Sequence, residues 1–479
     1  MRKLGVCTGL ILLSTLAQAQ NAERHGIGLI PRAQIQAMSA QPAGAVPVID
    51  ERRSLFVTDK TILASFTFAE VMATIARGAP DGALTKEKLF ASWWDTANKS
   101  PPNQQIAFRC DQANPDLHGF PYECPRFEGS QSTLDPFGGA ANDQYIPIAL
   151  SNRFDLAGSP TEGGTDCGEY RIVFARRAGQ TNIFSRNLII FEAVLPNPRP
   201  NARDLEGCRP VARFWADLTR NDDKADRAHK LHDFYFAGLP GFSPVVTARN
   251  YGSATPTALG QVRTNQFMQN PPTGVRFNWI LRQFHVVTEG QSLRFKPVAV
   301  GNNPAGVLFD EHESQPLGPA FRTAFAGVVK TLAINDINLF NMGGLDRKFD
   351  AAESDEMDPR ENNYVAQSAT STNFLSSIAA GIPPGPLTST HIVRRAKALS
   401  CAGCHQLSNP APEADLGGGI AWKPSLGFVH TSEDPNQMEA CPDDAAGQKN
   451  CFAISRALKE VFLPNRKNVL AAFLGGGAQ

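Results

Sequence analysis

The chain has 479 residues, with 46 Lys and Arg against 46 Asp and Glu, so its formal net charge is zero. A chain of this length can bury a sizeable core without depending on disulfides, and the balanced charge gives no global argument for a nucleic acid or an anionic membrane as partner. The 40 Gly and 35 Pro point to a loop-rich fold, and 30 Phe against 6 Tyr and 5 Trp read as core material.

The first residues, MRKLGVCTGLILLSTLAQAQ, combine Arg2 and Lys3, an apolar run from Leu4 to Leu16 and the small-residue signal Ala17-Gln18-Ala19. That order predicts a secretory signal peptide over 1–19. No other apolar run reaches about 18 residues, so no transmembrane segment is expected and the mature protein is expected to be periplasmic or secreted. Residues 20–47 are rich in Gln, Ala and Pro without periodicity and read as a linker.

Residues 48–143 form a helical and loop region. Phe66, Val71, Met72 and Ile75 recur at helical spacing, and a second helical run leads into Trp93-Trp94, which read as core. Residues 144–345 form a central region with antiparallel sheet. The strand runs Tyr170–Ala175 and Asn187–Val194 flank a turn-rich stretch, and a second hairpin spans about 277–300 around Glu289-Gly290-Gln291. Helices are expected at about 211–219, 223–236 and 320–334. Residues 346–387 read as a linker, with the acidic run Asp350, Glu353, Asp355, Glu356 and Asp358 solvated and Gly381–Pro386 a strong breaker. A small helical domain is expected over 388–479. Helices, then sheet with inserted helices, then helices predict an α+β fold.

Apart from Cys7 in the leader, eight cysteines remain: 110, 124, 167, 208, 401, 404, 441 and 451. Exported proteins oxidise theirs. Proximity suggests Cys110–Cys124, Cys167–Cys208 and Cys441–Cys451, with Cys401 and Cys404 left over.

Those two lie in Leu399-Ser400-Cys401-Ala402-Gly403-Cys404-His405. Two thiols three apart on a helical turn suit the two vinyl groups of a porphyrin, and a histidine directly after the second suits its iron. Ala402 and Gly403 are small enough to let the backbone approach a macrocycle edge. With the short helix over Thr388–Ser400, the motif resembles that of the small cytochrome c domain, over roughly the last fifth of the chain. The resemblance implies haem c held by Cys401 and Cys404, His405 as iron ligand, Pro424 with its carbonyl orienting His405, and Arg466–Leu474 as closing helix. It also implies electron exchange with a redox partner protein. Met438 is expected as the other axial ligand, with His430 or none as the alternatives: a methionine favours electron transfer, an open position peroxidase-like chemistry. A Cys401–Cys404 disulfide in a haem-free binding or structural protein and a zinc site are the competing readings.

Other clusters read as structure. His229 and His232 are one helical turn apart but lack a metalloprotease glutamate, so they read as a polar helix face. Asp310–Glu313 reads as a solvated loop. No P-loop, dinucleotide fingerprint or Gly-x-Ser-x-Gly occurs.

Overall fold

The computed structural model describes residues 46–95, 116–122, 131–132, 134–158, 166–199, 205–252, 260–268, 279–409 and 413–475. The expected signal peptide, most of the linker that follows it and the pair Cys110–Cys124 lie outside the described residues.

The fold is α+β, built on one mainly antiparallel sheet. Its strands are β1 (Phe56–Val57), β2 (Tyr145–Arg153), β3 (Asp166–Arg176), β4 (Ser185–Pro196), β5 (Gly260–Met268), β6 (Ile280–Glu289), β7 (Ser292–Val298) and β8 (Ser354–Asp355). The order is β1-β2-β3-β4-β5-β6, and the far edge of β6 is shared by β7 and β8. Both hairpins expected from the sequence, β3–β4 and β6–β7, are present with antiparallel register. Cys167 and Cys208 are disulfide-bonded, as are Cys441 and Cys451. No helix among the described residues is long and apolar enough to cross a membrane.

Side chains alternate across a strand with a period of two, and here the two faces differ in chemistry. On one face Tyr170, Ile172 and Phe174 of β3, Ile189 and Phe191 of β4, Val262 of β5 and Phe284 and Val286 of β6 are buried. Four helices cover this face: α1 (Phe68–Ala76), α2 (Lys86–Asp95), α3 (Arg209–Asp217) and α4 (Lys224–Phe236). Helix α1 starts because the Thr67 side chain accepts from the Glu70 N–H, and it turns Phe68, Val71, Met72 and Ile75 inward. Phe68 meets Phe174 at 5.3 Å between ring centroids. Trp93 stacks on Trp94 at 4.7 Å and on Phe295 at 4.1 Å. Trp215 of α3 and Phe234 of α4 lie 5.9 and 5.1 Å from Tyr170.

A second core joins α5 (Gly318–Leu332), α6 (Thr372–Gly381) and α7 (Ser389–Leu399) around Phe309, Phe321, Phe325, Tyr364 and Phe374. Between α5 and α6 the acidic run departs from its expected solvation. Asp350, Glu353 and Asp355 are all buried. Ser354 and Asp355 pair with Leu281 and Ile280 as β8, the Glu353 carboxylate faces Arg282 at 2.8 Å, and Asp350 accepts from the Asn303 N–H. A charged run is buried here because each acid meets a donor on the sheet or its edge loops.

Residues 388–479 do not close around a core of their own. After α7 come α8 (Cys401–Leu407), a loop-rich stretch, a π-helical turn (Leu458–Phe462) and α9 (Leu463–Gly475). Trp422, Val429, Phe452, Ile454, Phe462, Val469 and Phe473 belong to the same apolar cluster as Ile49, Phe56 and the sheet. Phe473 packs on Phe154 at 4.8 Å. The Phe452 N–H donates to Thr58 O at 3.0 Å, and Asp59 bridges to Cys451. Glu433, fully buried, takes the Arg186 guanidinium of β4 at 2.7 Å.

Two outcomes follow. Residues 388–479 expressed alone are expected to give the collapsed amide dispersion of an unfolded chain in a proton–nitrogen NMR spectrum. Arg186→Leu leaves the Glu433 carboxylate unpaired, and urea melts are expected to show a loss of about 3–5 kcal/mol.

Candidate functional site

The other sheet face carries charge. Arg153 (β2), Glu169 and Arg171 (β3), Glu192 (β4), Gln261 and Arg263 (β5) and His285 (β6) point toward a cavity of about 340 Å³, within the range of small-molecule pockets. Register explains their pairing. Arg171 sits directly opposite Glu192, Glu192 opposite Gln261, and Arg263 opposite Gln283. Arg171 Nη1 lies 3.1 Å from Glu192, the Gln261 amide donates to Glu192 at 2.6 Å, and Arg263 donates to Gln283 at 3.0 Å. Burial alone lowers the Arg171 guanidinium, but the Glu169 and Glu192 carboxylates outweigh it and hold it above its ordinary value.

The C-terminal segment roofs this face. Cys401, Cys404 and His405 all line the cavity, together with Trp422, His430, Phe462 and Arg466. Helix α8 is seated by several local contacts. The Ser400 hydroxyl caps it through the Gly403 N–H. The Ala402 N–H donates to Ser354 Oγ of β8 at 2.9 Å, and Ala402 packs with Trp279, Leu281 and Val300. Gly403 serves the junction of α7 and α8: a Cβ there would lie 2.2 Å from Lys397 O.

Cys401 and Cys404 are free thiols, which removes the disulfide expected under the haem-free reading. Burial raises the Cys401 thiol; burial and the adjacent Cys401 push Cys404 up to about 12. These two and His405 are half-buried and line the cavity. The His405 ring lies 4.4 Å from Trp279 and 5.2 Å from His430 between centroids, and its Nδ1 is buried without a hydrogen bond. Burial, with His430 beside it, holds His405 well below the usual imidazole range. His430 is lowered to about 4 by burial and then by Arg466.

His430 is fixed by its neighbours. Gly427 and Phe428 adopt left-handed backbone conformations, the His430 carbonyl accepts from the Ser455 N–H at 2.9 Å, and its Nδ1 lies 2.8 Å from Ser455 Oγ. The other sequence-derived residues lie elsewhere. The Pro424 carbonyl accepts from Ala457 N–H at 3.2 Å and is not bonded to His405. Met438 packs against the main core in the turn before the Cys441–Cys451 disulfide and is not among the residues lining the cavity. His232 meets Glu70 at 3.1 Å and His229 meets Asp233 at 3.4 Å, both on the α4 surface.

A single-ion site does not fit the motif. No three of Cys401, Cys404, His405 and His430 bring ligating atoms within 4.8 Å of one another. The one such group among the described residues, Asp59, Cys441 and Cys451, contains a disulfide whose sulfurs are not thiolates.

The sequence reading missed the sheet's contribution. Glu169, Arg171, Glu192, Gln261 and Arg263 were legible as charged or polar residues at every second position of apolar strands, a signal that the polar face is also enclosed.

Comparison with protein-family models, curated proteins and solved structures finds no match for the chain. The resemblance of residues 388–479 to the small cytochrome c domain is therefore corrected. No family model supports it, the segment shares its core with the rest of the chain, and its disulfide joins cysteines ten apart and offers no attachment pair.

The pH dependence follows from the cavity histidines. Burial, then Arg347 and Lys296, lowers His285 from 6.5 to about 4. Folding therefore disfavours its protonated form. Its contribution is complete above pH 6.5 and is lost as pH falls through 4, up to about 3 kcal/mol. Urea midpoints measured from pH 7 to 4 are expected to fall more steeply for the wild type than for His285→Gln.

Proposed function

We propose that the protein carries one covalently attached haem c in the cavity beneath α8 and passes electrons through it. The proposal concerns the cofactor and not the fold of cytochrome c, which the chain does not share. The observation that carries it is the convergence of two free thiols and the His405 imidazole on one cavity, with a second imidazole, His430, 5.2 Å from the first between ring centroids.

The residues suit the group. Cys401 and Cys404 are protonated and ready to form thioethers, and they are poor thiolate ligands for a bare ion. His405 and His430 are neutral bases, the form in which imidazole binds iron. Ser455 Oγ, 2.8 Å from His430 Nδ1, holds that ring in place. Trp279, Trp422 and Phe462 surround the imidazoles with apolar surface and limit water. When bound, the haem supplies a one-electron couple at its iron. His405 and His430 would hold its iron, and the chemistry the group would supply there is electron exchange with a redox partner protein. Export of the chain is part of the proposal, supported by the leader-like first residues, by the two disulfides and by their rarity in reducing compartments.

Coexpression with cytochrome c maturation machinery tests the reading. A denaturing gel of the matured protein is expected to stain for haem, and Cys401→Ala with Cys404→Ala to abolish the stain. The matured wild type is expected to resist added cyanide, whereas His430→Ala is expected to bind it with a clear shift of the visible spectrum. A matured sample without covalent haem overturns the proposal.

A further inference from the structure

The cavity holds an imbalance of charge that the thiols and imidazoles do not explain. Four arginines line it: Arg153, Arg171, Arg263 and Arg466. Three carboxylates face them. Glu169 and Glu192 are engaged by Arg171, and Glu192 also by Gln261 and, at 3.5 Å, by Arg263. Asp155 takes Arg153 through bonds of 2.9 Å to each of its oxygens. Among the described residues one cation is in surplus, and it is Arg466.

Arg466 stands at the start of α9, 7% exposed, and its Nε and Nη1 are buried without a hydrogen bond. Its nearest carboxylate oxygen, Asp155 Oδ1, is 3.8 Å away and already held by Arg153. Burial, with Arg153 and Arg171 beside it, outweighs the attraction of Asp155 and Glu169 at this guanidinium and holds it well below its ordinary value. A buried cation is stable only when paired, and a planar guanidinium is best paired by a carboxylate.

We infer that Arg466, flanked by Arg153, is a binding site for a monoanionic carboxylate group of the cavity's ligand. A single surplus charge matches one carboxylate, whereas a phosphate dianion would leave its second charge facing Glu169 and Glu192. Two sources carry this chemistry: a propionate arm of the porphyrin, or a small free carboxylate bound beside it. The site does not require the haem proposal, since it is defined by Arg466 and its neighbours alone.

The test uses the full chain made without maturation machinery. Iron protoporphyrin IX and its dimethyl ester are titrated by visible absorbance, and sodium propionate is compared with sodium chloride at equal ionic strength by thermal melting, also on the matured protein. If the porphyrin is the source, the free acid binds about tenfold tighter than the ester, the ratio expected from one charge-assisted hydrogen-bonded contact, and Arg466→Gln collapses the difference. If a free carboxylate is the source, propionate but not chloride raises Tm, Arg466→Gln removes the shift, and acid and ester bind alike. The inference is overturned if wild-type protein neither distinguishes acid from ester nor responds to propionate beyond chloride. That comparison stands even if Arg466→Gln does not fold. A matured protein that lacks haem stain yet responds to propionate sinks only the haem proposal; one that stains without either response sinks only this one.

Discussion

The constraint on which the rest of the structure depends is the burial of a charged sheet face. A sheet with one apolar and one polar face ordinarily leaves the polar face in water. Here β3, β4 and β5 carry Glu169, Arg171, Glu192 and Arg263 inward, and removing such groups from water is unfavourable unless each finds a partner. Cross-strand register supplies most of them: Arg171 lies opposite Glu192 and Glu192 opposite Gln261. Any slip of one residue would turn the charges onto the aromatic face and Phe174 and Phe191 into the cavity. The charged face and the Phe68, Trp93 and Trp215 helices on the reverse thus specify the same register from opposite sides.

The roof follows from that constraint. The C-terminal segment shares its core with the rest of the chain, and its buried groups are completed by residues several hundred positions earlier. Glu433 needs Arg186, Phe473 needs Phe154, and the strand-like stretch at Cys451 needs Asp59. The thiol-bearing helix α8 is placed in turn by Ser354 of β8 and by the apolar patch of Trp279, Leu281 and Val300. The acidic run around Ser354 is buried for this reason: it is the edge on which α8 rests, and its own acids are met by Arg282 and the Asn303 backbone.

The sequence made the local pieces legible and hid the long-range ones. The strands around Ile172 and Ile190, the helices bearing Phe68 and Phe234 and the Cys167–Cys208 bridge are readable because period, turn chemistry and proximity are local properties. The acidic run was misread because composition records charge but not the Arg282 that compensates it some 70 residues earlier. Residues 388–479 read as a domain because their length and helical pattern suffice for one, whereas shared burial with Ile49 and Phe56 leaves no mark on the local pattern. In the cavity, Cys401, Cys404 and His405 were found by their spacing. Met438 was the expected ligand for the far side and His430 its alternative, and it is His430 that lines the cavity. Arg466 was read only as part of a closing helix, since its surplus charge exists only once Asp155 is known to be shared with Arg153.

The protonation states select among the chemistries that the same residues could support. A zinc or redox-exchange site needs thiolates, which are lowered in energy by nearby positive charge and access to water. Around α8 the opposite holds: burial raises both thiols, Cys404 to about 12, and the Arg263 charge near Cys401 does not overcome it. The imidazoles are driven the other way, His430 to about 4, so both are unprotonated across the neutral range. Neutral sulfur, neutral nitrogen and a surplus arginine are the donor set on which the proposed thioether linkage, nitrogen ligation and anionic contact rest. Each of those preferences has the same origin, since the low-dielectric cavity that the charged sheet face and its aromatic roof enclose penalises charge on every group that lacks a partner.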